Sequence, residues 1–247
     1  MKRRMCGVGV AALLAALLAL SGVAQSAMWV GGELGGNFNA YPQMTVSGSG
    51  VSRTLQTEVR PSVIGGVTIG YDFVNSGFGG YNYPSWMQYF SFAMDLTYNR
   101  FSIQDAGPGI GSFFPANTRL NGWEVAWTFL FMAHYGFLPD DVAPTGRVNP
   151  YLGIGPAIVW TGVEGTLPTN NNSFTSRYGD NAINVALVVE PGVRFVCFKN
   201  VSFDISFKYR YAKPSYDFSD ISGSGVSIDF QPTLNLFSGQ VGVAYHF

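Results

Sequence analysis

Residues 201–211 read VSFDISFKYRY, and the order of those side chains decides the fold. Val201, Phe203, Ile205, Phe207, Tyr209 and Tyr211 take the odd positions, and Ser202, Asp204, Ser206, Lys208 and Arg210 take the even ones. A period of two puts successive side chains on opposite faces of a β-strand. A half-buried strand of a soluble sheet alternates in the same way. Here one face is bulky aliphatic and aromatic throughout, while the other carries an acid and two bases. That contrast suits a strand with lipid on one side and the polar lumen of a barrel on the other.

The same period recurs along the chain and predicts strands over 29–38, 58–73, 87–101, 120–137, 150–162, 181–198, 201–211 and 233–247. Long Gly-, Ser-, Thr- and Asn-rich loops are expected over 40–57, 102–118, 164–180 and 212–230. Shorter connections fall at 74–85 and 138–149, with a two-residue turn at Lys199-Asn200. Pro61 belongs near a strand end, because it cannot donate to a ladder. Alternate long and short connections between an even number of strands predict an all-β, eight-stranded, antiparallel up-and-down transmembrane β-barrel with its long loops outside the cell. Closure leaves no unpaired edge in hydrocarbon.

Composition agrees. Lys2, Arg3 and Arg4 precede an apolar stretch from Val8 to Leu20 and a small-residue region ending at Ala24 or Ala27, the layout of a secretory signal peptide over 1–27. Cys6 lies before that stretch, so it is not placed as a lipid acceptor. Removing the leader takes three bases and no acid, leaving 11 Lys plus Arg against 15 Asp plus Glu over 28–247, a formal charge of −4. Charged residues make up 12 % of the chain, against about 25 % in soluble domains. With no basic patch, nucleic acid is excluded as a partner. Only Cys197 outlasts cleavage, so no internal disulfide forms; its phase makes it lipid-facing.

The final eight residues, QVGVAYHF, carry Gln240, Gly242, Tyr245 and a terminal Phe247. With the strand pattern, they make the chain resemble the small eight-stranded outer-membrane barrels typified by opacity proteins and the membrane domain of outer-membrane protein A. The resemblance implies location in a bacterial outer membrane, contact with its lipids, and recognition of the last strand by the barrel-assembly machinery. No peptidoglycan-binding domain is expected after the barrel, so the resemblance does not extend to tethering to the cell wall.

Nine charged residues fall on the predicted inner faces: Glu33, Asp72, Asp95, Glu124, Glu190 and Asp204 against Arg194, Lys208 and Arg210. Eight strands enclose an interior just wide enough for side chains to fill, and buried charges must pair or lose their charge. A structural ion-pair network is the expected outcome, and a narrow cation-preferring pore, motivated by the acid excess, is the alternative. Enzymatic acyl chemistry would need a base beside a hydroxyl. His134 and His246 are the only histidines, both expected at the short-turn end, with no serine motif near either. No cofactor or metal site is expected, and Asp140-Asp141 read as turn residues. PYLGIG at 150–155 lacks the lysine and following helix of a phosphate loop. The long loops, with Phe113, Phe114 and Phe174, could hold an extracellular ligand or be passive connections.

Overall fold

The computed structural model describes residues 27–39, 43–48, 51–74, 82–105, 119–168, 175–218 and 228–247. Its strands are β1 (Met28–Asn39), β2 (Gln43–Gly48), β3 (Val51–Val59), β4 (Ser62–Asp72), β5 (Phe90–Asp105), β6 (Arg119–His134), β7 (Val148–Pro168), β8 (Thr175–Phe198), β9 (Val201–Ala212), β10 (Tyr216–Phe218) and β11 (Ile228–His246). Eight of them close a ring of antiparallel neighbours, β1–β4–β5–β6–β7–β8–β9–β11 and back to β1. Among the described residues no helix is long and apolar enough to cross a membrane. The leader expected over 1–27 falls almost wholly outside the described residues, as do Phe113, Phe114 and Phe174.

The ring's geometry follows from its register. Pairings lead from Met28 through Tyr71, Phe92, Phe131, Ile154, Val189, Tyr209 and Phe237 back to β1 at Phe38, ten residues further along. With a strand spacing of about 4.8 Å and a rise of about 3.3 Å per residue, that stagger over eight strands tilts each strand by about 40°. Each residue therefore climbs about 2.5 Å along the barrel axis.

Side-chain parity is kept throughout. On β5, Ser91, Ala93, Asp95, Thr97 and Asn99 are buried, while Phe92, Leu96 and Tyr98 are exposed on the outer wall. Leu130 and Met132, apolar at inward positions, are buried in the lumen with Ala126, Ala157 and Val188. An aromatic girdle rings the turn end, where Tyr89 stacks on Tyr135 and Phe90 on Phe131 at 5.8 and 5.3 Å.

Three expectations need correction. Much of the predicted loop sequence over 40–57, 164–180 and 212–230 is strand. β2 pairs with β11 and β3 with β5, so the β1–β4 connection continues the wall upward. β7 and β8 remain paired as far as Pro168 and Thr175, and β10 joins β11. The Ser-, Thr-, Gly- and Asn-rich composition of these segments reads as loop, but the backbone ladder does not depend on it. Secondly, the strand expected over 58–73 is broken between β3 and β4 at Arg60-Pro61, where proline has no N–H to offer. Thirdly, Met87 to Tyr89 belong to a 3-10 turn, Ser85–Tyr89, begun at Pro84 and closed by Met87 N–H donating to Pro84 O at 2.9 Å.

The β6–β7 connection is a built turn. Asp140 accepts from the Val142 and Ala143 N–H groups at 3.0 and 2.8 Å and pairs with Arg147. The Arg147 bond, helped by the Ala143 N–H, holds the Asp140 carboxyl below its usual range.

Candidate functional site in the barrel lumen

All nine charged residues placed on inner faces point to the axis, and they gather at three levels. β9 supplies one base to each of the upper two levels, because alternate residues of one strand share a face. β9 also lies opposite β5 in the ring, so a long base on it can reach across the lumen.

At the level nearest the turns, Arg194 Nε lies 3.2 Å from Asp204 and its Nη1 4.0 Å from Asp72. The guanidinium stands 4.1 Å over the Trp29 ring, and Trp29 Nε1 donates to Asp72 at 3.2 Å. Tyr151 OH donates to Asp204 at 2.6 Å and lies 3.2 Å from Glu190. Both aromatic rings rest on a bare backbone. A Cβ on Gly70 would come within 2.1 Å of Trp29, and one on Gly192 within 2.3 Å of Tyr151. Glycine at these two positions makes room for the rings.

In the middle, the Lys208 ammonium sits 2.5 Å from Asp95, 3.2 Å from Glu190 and 3.4 Å from Glu33. Its side chain is 0 % exposed. Those contacts tie β9 to β5, β8 and β1. Gln240 completes the group by donating to Glu33 at 3.1 Å. The three carboxylates converge as metal ligands would, but the ammonium occupies their centre. Among the described residues no His, Cys, Asp and Glu grouping could hold a metal ion. Above this level, Arg210 pairs with Glu124 and reaches Thr97 at 3.2 Å, while Ser238 donates to Asn37 at 3.1 Å.

Between the lower two levels lies a cavity of about 40 Å³, lined in part by Glu33, Asp95, Tyr151, Glu190 and Arg194. It is large enough for isolated waters but not for a hydrated ion in transit.

Trp29 and Tyr151 were not among the residues singled out from sequence. Their signal was parity: Trp29 is in phase with Glu33, and Tyr151 with Gly153 and Ala157. Ser202 Oγ lies 2.8 Å from His246 Nε2, a contact between two strands rather than a sequence motif. The two are 44 residues apart in sequence, and β9–β11 pairing joins them. Ser202 is 0 % exposed, so this contact has no opening through which an ester could reach the hydroxyl.

The four residues of the expected terminal signal divide between the faces. Gln240 belongs to the lumen network and Gly242 faces the axis between Glu33 and Asp204. Tyr245 is exposed on the outer wall, with its ring 5.3 Å from that of Phe247. Cys197 is exposed near the short β8–β9 turn.

Over residues 10–247 the sequence matches a family described as outer membrane protein beta-barrel domain. A search of curated proteins returns no match. Among solved structures, the outer membrane protein OprG of Pseudomonas aeruginosa superposes with a TM-score of 0.62 at 13 % identity, covering 92 % of this chain and 98 % of that one. Neisserial surface protein A aligns over 89 % and 97 % of the two chains at 15 % identity, with a TM-score of 0.39. The attachment invasion locus protein Ail of Yersinia pestis, solved with a heparin analogue, aligns over 90 % and 99 % at 11 % identity, also with a TM-score of 0.39.

Proposed function

Because this chain belongs to the outer membrane protein β-barrel domain family and so resides in the bacterial outer membrane, we propose that it is a non-enzymatic, non-conducting scaffold whose raised rim serves surface recognition. The observation that carries this reading is the continuation of paired strands beyond the lipid-facing band. By the register, the top of that band on β7 lies near residue 160, and β7 remains paired with β8 as far as Pro168. The hairpin therefore rises about 20 Å above hydrocarbon, well past the headgroup layer. A passive connection needs no such ladder, whereas a ligand-binding rim needs a rigid base.

The filled lumen beneath supports a closed interior. The acid excess, six carboxylates to three bases, favours the second reading of a narrow cation pore. Planar-bilayer recording separates the two: the closed reading expects no conductance above baseline, and stepwise cation currents would replace it with the pore. The recognition role is tested on cells expressing the protein with residues 169–174 and 219–227 replaced by short Gly-Ser linkers. Binding to host cells or immobilised glycans should fall while heat-modifiable gel migration, which reports the closed barrel, stays unchanged. Undiminished binding would refute it.

A further inference from the structure

The outer wall of β5 reads Phe90, Phe92, Met94, Leu96, Tyr98 and then Arg100. Ten residues separate Phe90 from Arg100, or about 25 Å along the axis, which is the height of the apolar band of such barrels. Phe90 belongs to the turn-end girdle, so Arg100 stands where hydrocarbon gives way to headgroups at the loop end.

Three features go beyond a cation simply reaching for water. Arg100 Nε donates to the Tyr98 hydroxyl at 2.9 Å, which orients the guanidinium and uses one of its five N–H donors. Beside it runs an outer-wall groove of about 380 Å³ lined by Ser62, Val63, Gly65, Tyr98 and Arg100, its floor opened by the missing side chain of Gly65. A second exposed arginine, Arg60, follows on the adjoining strand edge, where its N–H donates to Ser102 O at 3.1 Å.

The far side of the barrel repeats the arrangement. Lys213 Nζ lies 5.7 Å over the Tyr211 ring, the same tyrosine-to-cation step of two residues. Half a circuit, from Phe92 to Tyr209, climbs half the ten-residue stagger, so Arg100 is level with residue 212. The two cations thus mark one plane around the barrel.

We infer that the Arg100 groove binds a phosphate-bearing membrane lipid, with the phosphate on the guanidinium and an acyl chain against Val63 and Val67. Guanidinium matches phosphate in bidentate geometry, and Val67, exposed on the same outer face of β4 below the groove, extends the apolar surface toward the hydrocarbon.

The test is native mass spectrometry of the purified full-length barrel in detergent, with diphosphorylated lipid A or its dephosphorylated counterpart added. Wild type should retain the phosphorylated lipid. Arg100→Gln should retain it about tenfold less, as loss of a charge-assisted contact implies, and Gly65→Leu should weaken retention with the charge intact. Both positions are on the outer wall, and heat-modifiable migration verifies that each variant is folded. Equal retention by Arg100→Gln would mean that the arginine only snorkels to water. Equal retention of the dephosphorylated lipid, or competition by millimolar inorganic phosphate, would likewise overturn the assignment to a lipid phosphate.

Discussion

Replacing Lys208 with methionine tests the lumen at its centre. The substitution keeps most of the side-chain volume and removes the ammonium that Asp95, Glu190 and Glu33 share at 2.5, 3.2 and 3.4 Å. Breaking one buried ion pair by removing a partner costs about 3–5 kcal/mol, because the remaining charge is left without compensation. Here three carboxylates lose one cation, so the loss should reach at least that range. It should be visible as a large drop in the urea midpoint for unfolding from lipid vesicles, followed by tryptophan fluorescence. The cost lies in stranded charge rather than lost packing, so adding Asp95→Asn and Glu190→Gln to Lys208→Met should recover most of it. A single variant within about 1 kcal/mol of wild type, a typical surface-pair value, would refute the reasoning. So would a triple variant no more stable than the single one.

Other predictions follow from the same frame. Phe207 lies near mid-height of the apolar band, while Phe203 lies near its turn-end border. Phe207→Arg should therefore cost roughly 2–4 kcal/mol and Phe203→Arg roughly 0–1 kcal/mol in the same vesicle assay, and equal costs would contradict the register-derived depths. Gly70→Ala should displace the Trp29 indole from its seat, seen as a shift in tryptophan emission with loss of the Asp72 contact; an unchanged spectrum would count against the seat. Asp140 ionises below its ordinary range because it is paired with Arg147. Its contribution to turn order should therefore be complete above the ordinary carboxylate range and lost as pH falls through its lowered value. Amide exchange at Ala143 should show protection at neutral pH that disappears in acid, and Asp140→Ala should abolish that protection at every pH.

The wall could be read from sequence because lipid imposes the sharpest contrast a strand meets. Residues 201–211 alternate with no exception, and β9 has the same facing in the structure. Parity alone also aims Glu33, Asp95, Glu190 and Lys208 at one axis. Which charges meet is a different matter. Lys208 reaches Asp95 across the lumen because a ten-residue stagger sets both at one height, and stagger is a property of the closed ring rather than of any strand. Trp29 and Tyr151 had the right phase, and the glycines on neighbouring strands make room for them inside. The segments holding β2, β3 and the tops of β7 and β8 are rich in Ser, Thr, Gly and Asn and read as loop, while their backbones keep the ladder's hydrogen bonds. The Ser85–Tyr89 turn was hidden by its aromatics, which match the neighbouring strand in hydropathy.

The seam of the ring has a consequence for biogenesis. Trp29 pairs with His246, and the Phe247 N–H donates to Met28 O at 3.0 Å, so the first and last strands of the barrel share one ladder. Until that final partner arrives, β1 offers an open template of backbone donors and acceptors to any passing chain. An unprotected margin of this kind is where misassembly and aggregation begin. The barrel is therefore most vulnerable in the interval before β1 and β11 zip together, and a chaperone holding the nascent molecule would be most effective by shielding residues 28–39.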